Sequence, residues 1–144
     1  MTVHLTKMAV GVDDMRHLAE IQARRLERAI TNGEAPELRH ITRHTPRRAA
    51  EIEDGGSIYW VIKGAVRVRQ RIVRVDRMES PEGGSACALV LDPQLVVTEA
   101  RNCRPFQGWR YLEAANIPRD AAAMEGAGDM PPELASELKG LGLL

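Results

Sequence analysis

Ser57-Ile58-Tyr59-Trp60-Val61-Ile62-Lys63-Gly64-Ala65-Val66-Arg67-Val68-Arg69-Gln70-Arg71-Ile72 is the stretch whose reading decides the fold. Ile58 to Lys63 is apolar at odd and even positions alike, the pattern of a strand covered on both faces. Gly64 allows a bend. From Val66 the chain alternates: Val66, Val68 and Ile72 point inward, and Arg67, Arg69 and Arg71 point outward. Ile72-Val73 breaks the alternation, which predicts a bulge or a change of face.

Downstream the period stays short. Cys87-Ala88-Leu89-Val90-Leu91 reads as a buried strand turned by Asp92-Pro93, and Leu95-Val96-Val97-Thr98 as a further short strand. Phe106 to Leu112 is the last strand expected, with Gly108 inside it as a bulge or close approach. Upstream the period is helical. Val3 to Val10 predicts a first strand ended by Gly11. Asp13 or Asp14 then caps a helix to about Ile30, because a carboxylate accepts the orphan N–H groups of the first turn. Met15, Leu18, Ala19, Gln22, Leu26, Ala29 and Ile30 form its inward stripe, and Asn32-Gly33 stops it. Residues 39–43 suggest a short strand. Thr45-Pro46 reads as the start of a second helix, with Thr45 capping and Pro46 in the first helical position. Asp54-Gly55-Gly56 ends that helix. The expected class is therefore α+β: two N-terminal helices with a bent, mostly antiparallel sheet that curves toward a barrel.

A chain of 144 residues is long enough to bury a core without a disulfide or metal. Residues 1–118 are expected to form one domain. Residues 119–144 read as an acidic tail with a short helix from Pro131-Pro132. No apolar run approaches the ~20 residues of a membrane span, and no signal peptide is visible. The two cysteines, Cys87 and Cys103, read as free thiols, and the cytoplasm is the expected compartment. The net charge of zero conceals an asymmetry: residues 39–77 hold 10 basic side chains against 4 acidic, and residues 111–144 hold 2 against 6. Seventeen of the twenty basic residues are Arg, whose planar fork suits phosphate. Solvated faces in an Arg-rich chain explain the same count.

Arg67, Arg69 and Arg71 would project from one strand face at ~7 Å intervals, near the spacing of nucleic-acid phosphates. All five aromatic rings fall in two stretches that also carry cations: Tyr59-Trp60 with Lys63, and Phe106, Trp109 and Tyr111 with Arg104 and Arg110. If the two stretches meet, Lys63, Gln107 and the arginines would fringe an aromatic hollow suited to base stacking. A packed core edge accounts for the same rings. His40 and His44 do not share a helix face, and no further ligand stands at zinc spacing. Cys103, flanked by Arg101 and Arg104, has the surroundings of a nucleophile but no evident base. Cys87 reads as a small core residue. No phosphate-loop, dinucleotide or metalloprotease motif occurs, so no cofactor is expected.

Thr45-Pro46-Arg47-Arg48, Asp54 through Gly64, Leu91-Asp92-Pro93 and Arg104 through Leu112 resemble a family of short bacterial proteins of unknown function, over residues 1 to about 118. The family carries no established activity and so implies no catalytic residue. A short helix, a Gly turn and Tyr-Trp-Val-Ile-Lys are also similar to PUA-like barrels, including ASCH and EVE domains, although in EVE domains that stretch opens the chain. This second resemblance implies a small barrel that binds RNA or a modified base.

Three functions stay open on the sequence. One is an RNA- or nucleotide-binding protein using Lys63, Arg67, Arg69, Arg71, Arg104, Gln107, Trp109, Arg110 and Tyr111. The second is an enzyme acting on a small anionic or nucleobase-like substrate with His40, His44 or Cys103 in its site. The third is a structural or interaction protein whose acidic tail docks on a basic face.

Overall fold

The computed structural model of the chain describes residues 2–80 and 82–123. The helix expected after Pro131-Pro132 lies outside them. The described elements are β1 (His4–Met8), α1 (Met15–Thr31), β2 (Leu38–Thr42), α2 (Ala49–Glu53), β3 (Ser57–Ile62), β4 (Ala65–Glu79), β5 (Ser85–Leu91), β6 (Val96–Asn102) and β7 (Trp109–Leu112). Two 3₁₀ turns, Ala114–Asn116 and Ala121–Ala123, follow.

The α+β reading holds. The strands form one mixed sheet in the order β2-β5-β4-β3-β1-β7, with β6 also paired to β4. Only β1 and β3 run parallel among the paired strands. Their connection carries α1, β2 and α2, as a parallel crossover must be long. The fifteen-residue β4 is the spine. Its first half pairs with β3 on one side and β6 on the other, and its second half pairs with β5. Thus β5 and β6 follow each other along one edge of β4, separated by a jog at 92–95. Asp92 N–H donates to the Arg71 carbonyl at that jog (2.9 Å).

Two irregularities bend this spine. The register slips between Ile72 and Arg74, as the broken alternation predicts. A second slip, between Val66 and Val68, was not expected. It inserts Arg67 as an extra residue, so Val66 and Val68 do not share a face. Val68 joins the main core, and Val66 joins a smaller cluster on the other side of the sheet. Bulges increase twist and bend a strand, and the resulting curl brings the two ends of the sheet together. His40 of β2 stacks edge to face on Trp60 of β3, with ring centroids 5.2 Å apart. The indole N–H of Trp109 in β7 donates to the carbonyl of His44, just beyond β2 (2.9 Å). No ladder joins β2 to β7 among the described residues, so the sheet is open and not the closed barrel envisaged.

The local rules explain most element ends. Asp14 caps α1 by accepting the His17 N–H (2.8 Å), and His17 Nδ1 accepts the Asp13 N–H in return (3.0 Å). Lys63 and Gly64 both take positive φ, 47° and 83°. That pair gives the tight β3–β4 turn the twist that flanking strands favour. The second helix departs from expectation: it begins at Ala49, its N-cap is Arg48, and Thr45 and Pro46 stand outside it. Pro46 is instead buried, a packing use that ring burial favours over helix initiation. The stripe of α1 is shorter than its periodicity suggested. Met15, Leu18 and Gln22 are buried, but Ile30 is exposed because the helix outruns the sheet beneath it. Val10 is likewise exposed, since β1 ends at Met8. The last strand starts at Trp109, and Phe106 precedes it.

Alternation along β3 separates the interior into two parts. Ile58, Trp60 and Ile62 face the main core with Leu5, Met15, Ile52, Val68, Ile72 and Leu89. Tyr59 and Val61 face the smaller cluster with Val66, backed by Cys103, Phe106, Leu112 and Ile117. Residues 120 and 121 are tied to this body. Asp120 bridges Thr98, and Ala121 is buried in the main core.

Candidate functional site

Cross-strand register places Lys7 of β1 between the two indoles. It is the partner of Trp60 on one side and of Trp109 on the other. Opposed residues in a ladder project from the same face, so the two tryptophans share a face with a lysine between them. Tyr111 stacks on Trp109 (centroids 5.0 Å) and its hydroxyl accepts the Arg48 N–H (3.2 Å).

A pocket of about 170 Å³ opens where α1 crosses the meeting ends of the sheet. Its walls come from β1 and the following loop (Lys7, Met8, Ala9, Val12), α1 (Leu18, Ile21, Gln22, Arg25) and β2 (Leu38, Arg39, His40), with Trp60 and Leu91. No Asp or Glu among the described residues lines it. Arg39 is paired with Asp76 (3.4 Å) and Glu37 (3.7 Å). Lys7 and Arg25 have no carboxylate partner among the described residues. Burial pushes the Lys7 ammonium below its ordinary value. Burial, then Lys7 and Arg25, push the His40 imidazole down to about 4, so it is neutral at pH 7. Its Nε2 is buried and has no hydrogen-bond partner.

Behind the pocket lies a closed amide network. Gln70 Oε1 accepts the Trp60 indole N–H (2.9 Å) and one N–H of Gln22 (2.8 Å). Gln70 Nε2 donates to Gln22 Oε1 (2.7 Å) and to the Asp92 carbonyl (3.1 Å). Indole N–H is only a donor and a carbonyl only an acceptor, so these two partners fix which way the Gln70 amide points. Gln70 in turn fixes Gln22. A buried network with every member of Gln70 satisfied is rigid.

The residues proposed from sequence divide between the two sides of the sheet. Trp109 and Tyr111 lie on the Trp60 side. Arg110 is opposite Thr6, Thr6 opposite Tyr59, and Tyr59 opposite Arg69, so those residues share the other side. Period-two alternation makes the split unavoidable: neighbours in sequence cannot face one way on a strand. The Arg ladder is also interrupted. Arg67 sits at the bulge. Arg69 donates to both carboxylate oxygens of Asp120 (2.7 and 2.8 Å) and to Ser57 Oγ (3.0 Å). Arg71 is exposed. Arg110 lies over the Phe106 ring (4.7 Å), and Arg104 and Gln107 are exposed in the loop before β7. Lys63 is exposed at the β3–β4 turn, 3.5 Å from Asp13.

Of the groups weighed as catalytic, only His40 lines the pocket. His44 is exposed beyond β2. Cys103 packs with the smaller cluster across the sheet, and its N–H donates to the Gly64 carbonyl (2.9 Å). Cys87 is buried in the main core. Among the described residues no three His, Cys, Asp or Glu side chains gather as a metal would require. Lys7, Arg25, Gln22 and Gln70 were not singled out in the sequence. The available signal was a glutamine in the inward stripe of α1 and another inside an Arg-bearing strand.

The chain belongs to a family described as protein of unknown function (DUF1489), whose model matches residues 5–144. The match carries the family resemblance beyond residue 118 and through the acidic end. No curated protein and no solved structure matches it. Among the described residues no helix is long and apolar enough to cross a membrane.

Proposed function

We propose that this protein binds a small anionic ligand with a flat body, of the nucleotide or nucleobase-like acid class, in the pocket between α1, β1 and β2. One observation carries the reading. Lys7 and Arg25 line a hollow without acidic residues, and neither has a carboxylate partner among the described residues. A half-buried, unpaired lysine costs stability, and an anion would offset that cost. Trp60 and His40 add ring surface for a flat guest, and Trp109 flanks Lys7 from the other side. The PUA-like reading rests on the Tyr-Trp-Val-Ile-Lys resemblance, and a curled but open sheet is compatible with it.

The test is a titration of the isotope-labelled chain with benzoate, orotate, UMP and AMP, followed by backbone and indole N–H shifts. At least one of these acids should give saturable shifts at Lys7, Gln22, His40 and Trp60. Lys7→Met with Arg25→Ala should weaken it at least ~10-fold. If none of the four moves those signals, the reading is wrong.

Binding of single-stranded RNA on the Tyr59 side, through Arg69, Arg71 and Arg110 without Trp109 and Tyr111, which lie across the sheet, is the second reading. Exposed Arg71, Arg104 and Arg110 support it; the engagement of Arg69 by Asp120 narrows it. Labelled RNA titrated at rising salt should show binding that weakens with salt and with Arg71→Ala/Arg110→Ala. Absence of binding at low salt would rule it out.

A further inference from the structure

The pocket retains polar capacity that the protein leaves unused. Gln70 is saturated: its oxygen accepts twice and its nitrogen donates twice. Gln22, which lines the pocket, gives Gln70 one N–H and one lone pair and keeps one of each. His40 Nε2, in the same wall, is buried with no partner. An unpaired buried polar atom lowers stability. Here that one unmatched nitrogen and the spare amide capacity of Gln22 adjoin one hollow with Lys7 and Arg25, which have no carboxylate partner among the described residues.

Size narrows the occupant. The hollow measures about 170 Å³, close to the ~150 Å³ that holds a benzene ring in a protein interior. One six-membered ring with small substituents fills it. Trp60 and His40 meet at 88°, so a flat guest stacked on one ring meets the other edge to face. A plain phenyl ring would fill the volume but leave His40 Nε2 and the spare amide groups of Gln22 unsatisfied.

We infer that the pocket selects a negatively charged single-ring heterocycle of pyrimidine type, its ring nitrogen and carbonyl groups bonded to His40 and Gln22 and its anionic group held by Lys7 and Arg25. This rests on the small-anion reading and specifies its ligand class. Gln70 is the positioning residue, because it holds the Gln22 amide in one orientation.

Isothermal titration of the full chain with three acids tests it: orotate, a pyrimidine carboxylate; benzoate, of equal charge and ring size without ring heteroatoms; and 1-naphthoate, a bicycle. Orotate should bind at least ~10-fold more tightly than benzoate, because a site built for hydrogen bonds rejects an analogue that lacks them. Naphthoate should be excluded. His40→Phe should bring orotate down to the benzoate level. Equal affinity of the wild-type chain for orotate and benzoate would overturn the heterocycle inference and leave the anion pocket standing. Tightest binding of naphthoate would overturn the single-ring inference alone. Binding of none would overturn both this inference and the anion pocket. The wild-type comparison needs no variant to fold.

Discussion

The two sides of β3 handle charge in opposite ways. On the Tyr59 side Asp120 and Glu99 are each paired with arginine, and Arg110 lies over the Phe106 ring. Arg69 holds Asp120 in a two-pronged pair, and Glu99 lies against Arg101 (2.9 Å) and Arg119 (3.4 Å). The Arg69 hydrogen bonds keep the Asp120 carboxyl below the usual carboxylate range. On the Trp60 side Lys7, Arg25 and His40 surround a hollow with no carboxylate opposite them among the described residues. Matched charge closes a surface and needs no further partner. Unmatched, desolvated charge lowers stability and persists where a ligand uses it. Family membership aside, this contrast is what separates the candidate site from the rest of the sheet.

The contrast can be broken most severely at its rigid base. Gln70→Leu leaves the Trp60 indole N–H, the Gln22 amide and the Asp92 carbonyl without their partner. At ~1–3 kcal/mol for each unsatisfied group, the fold should lose roughly 3–5 kcal/mol in chemical denaturation. A loss below ~1 kcal/mol would mean the amide network is not rigid.

Acid probes the unmatched side next. His40 has a folded value of about 4 against an ordinary 6.5, so the unfolded chain takes up the proton first. Stability should fall as pH drops from about 6.5 to about 4, by roughly 2–3 kcal/mol, and be insensitive to this group above 6.5. His4, lowered by burial and by Arg69, adds in the same direction. His40→Phe should flatten the denaturation midpoint over that range; a slope equal to wild type would remove His40 from the account.

On the matched side Asp120→Ala strands a half-buried guanidinium and releases the segment near Thr98. The expected loss is about 1–2 kcal/mol, discounted because both partners are partly solvated. Orotate and benzoate affinities should stay as in wild type, since the change lies across the sheet. A drop in affinity would show that the two sides are coupled.

The smallest effect has the opposite sign. Lys7→Met removes a half-buried charge with no carboxylate partner among the described residues and keeps the stem, so it should raise stability by ~0.5–1 kcal/mol while weakening anion binding. A variant that lost both stability and binding would identify Lys7 as structural.

Much of the fold was legible because it depends on neighbours in sequence. Asp14, Gly33, the bend at Gly64 and the break at Ile72-Val73 act within a few residues, and each appears where its chemistry placed it. Thr45-Pro46 failed because a Pro that suits a helix start also suits burial, and packing decided between them. The nine proposed binding residues were chosen by closeness in sequence. Along a strand that closeness guarantees opposite faces, so Trp109 parted from Arg110. His40 was noticed as a titratable group but carried no sign of its setting. Its character comes from Trp60, Lys7 and Arg25, which lie 20, 33 and 15 positions away.

Composition and period alone determined that this chain makes an α+β domain with a bent sheet, because burying apolar stripes of period 3.6 and 2 admits few other arrangements. Only the tertiary structure decided that a lysine would stand between two tryptophans and that the first helix would roof a hollow lined by cations. Cross-strand register and curl bring residues together irrespective of their separation along the chain, and no local pattern records which ones will meet.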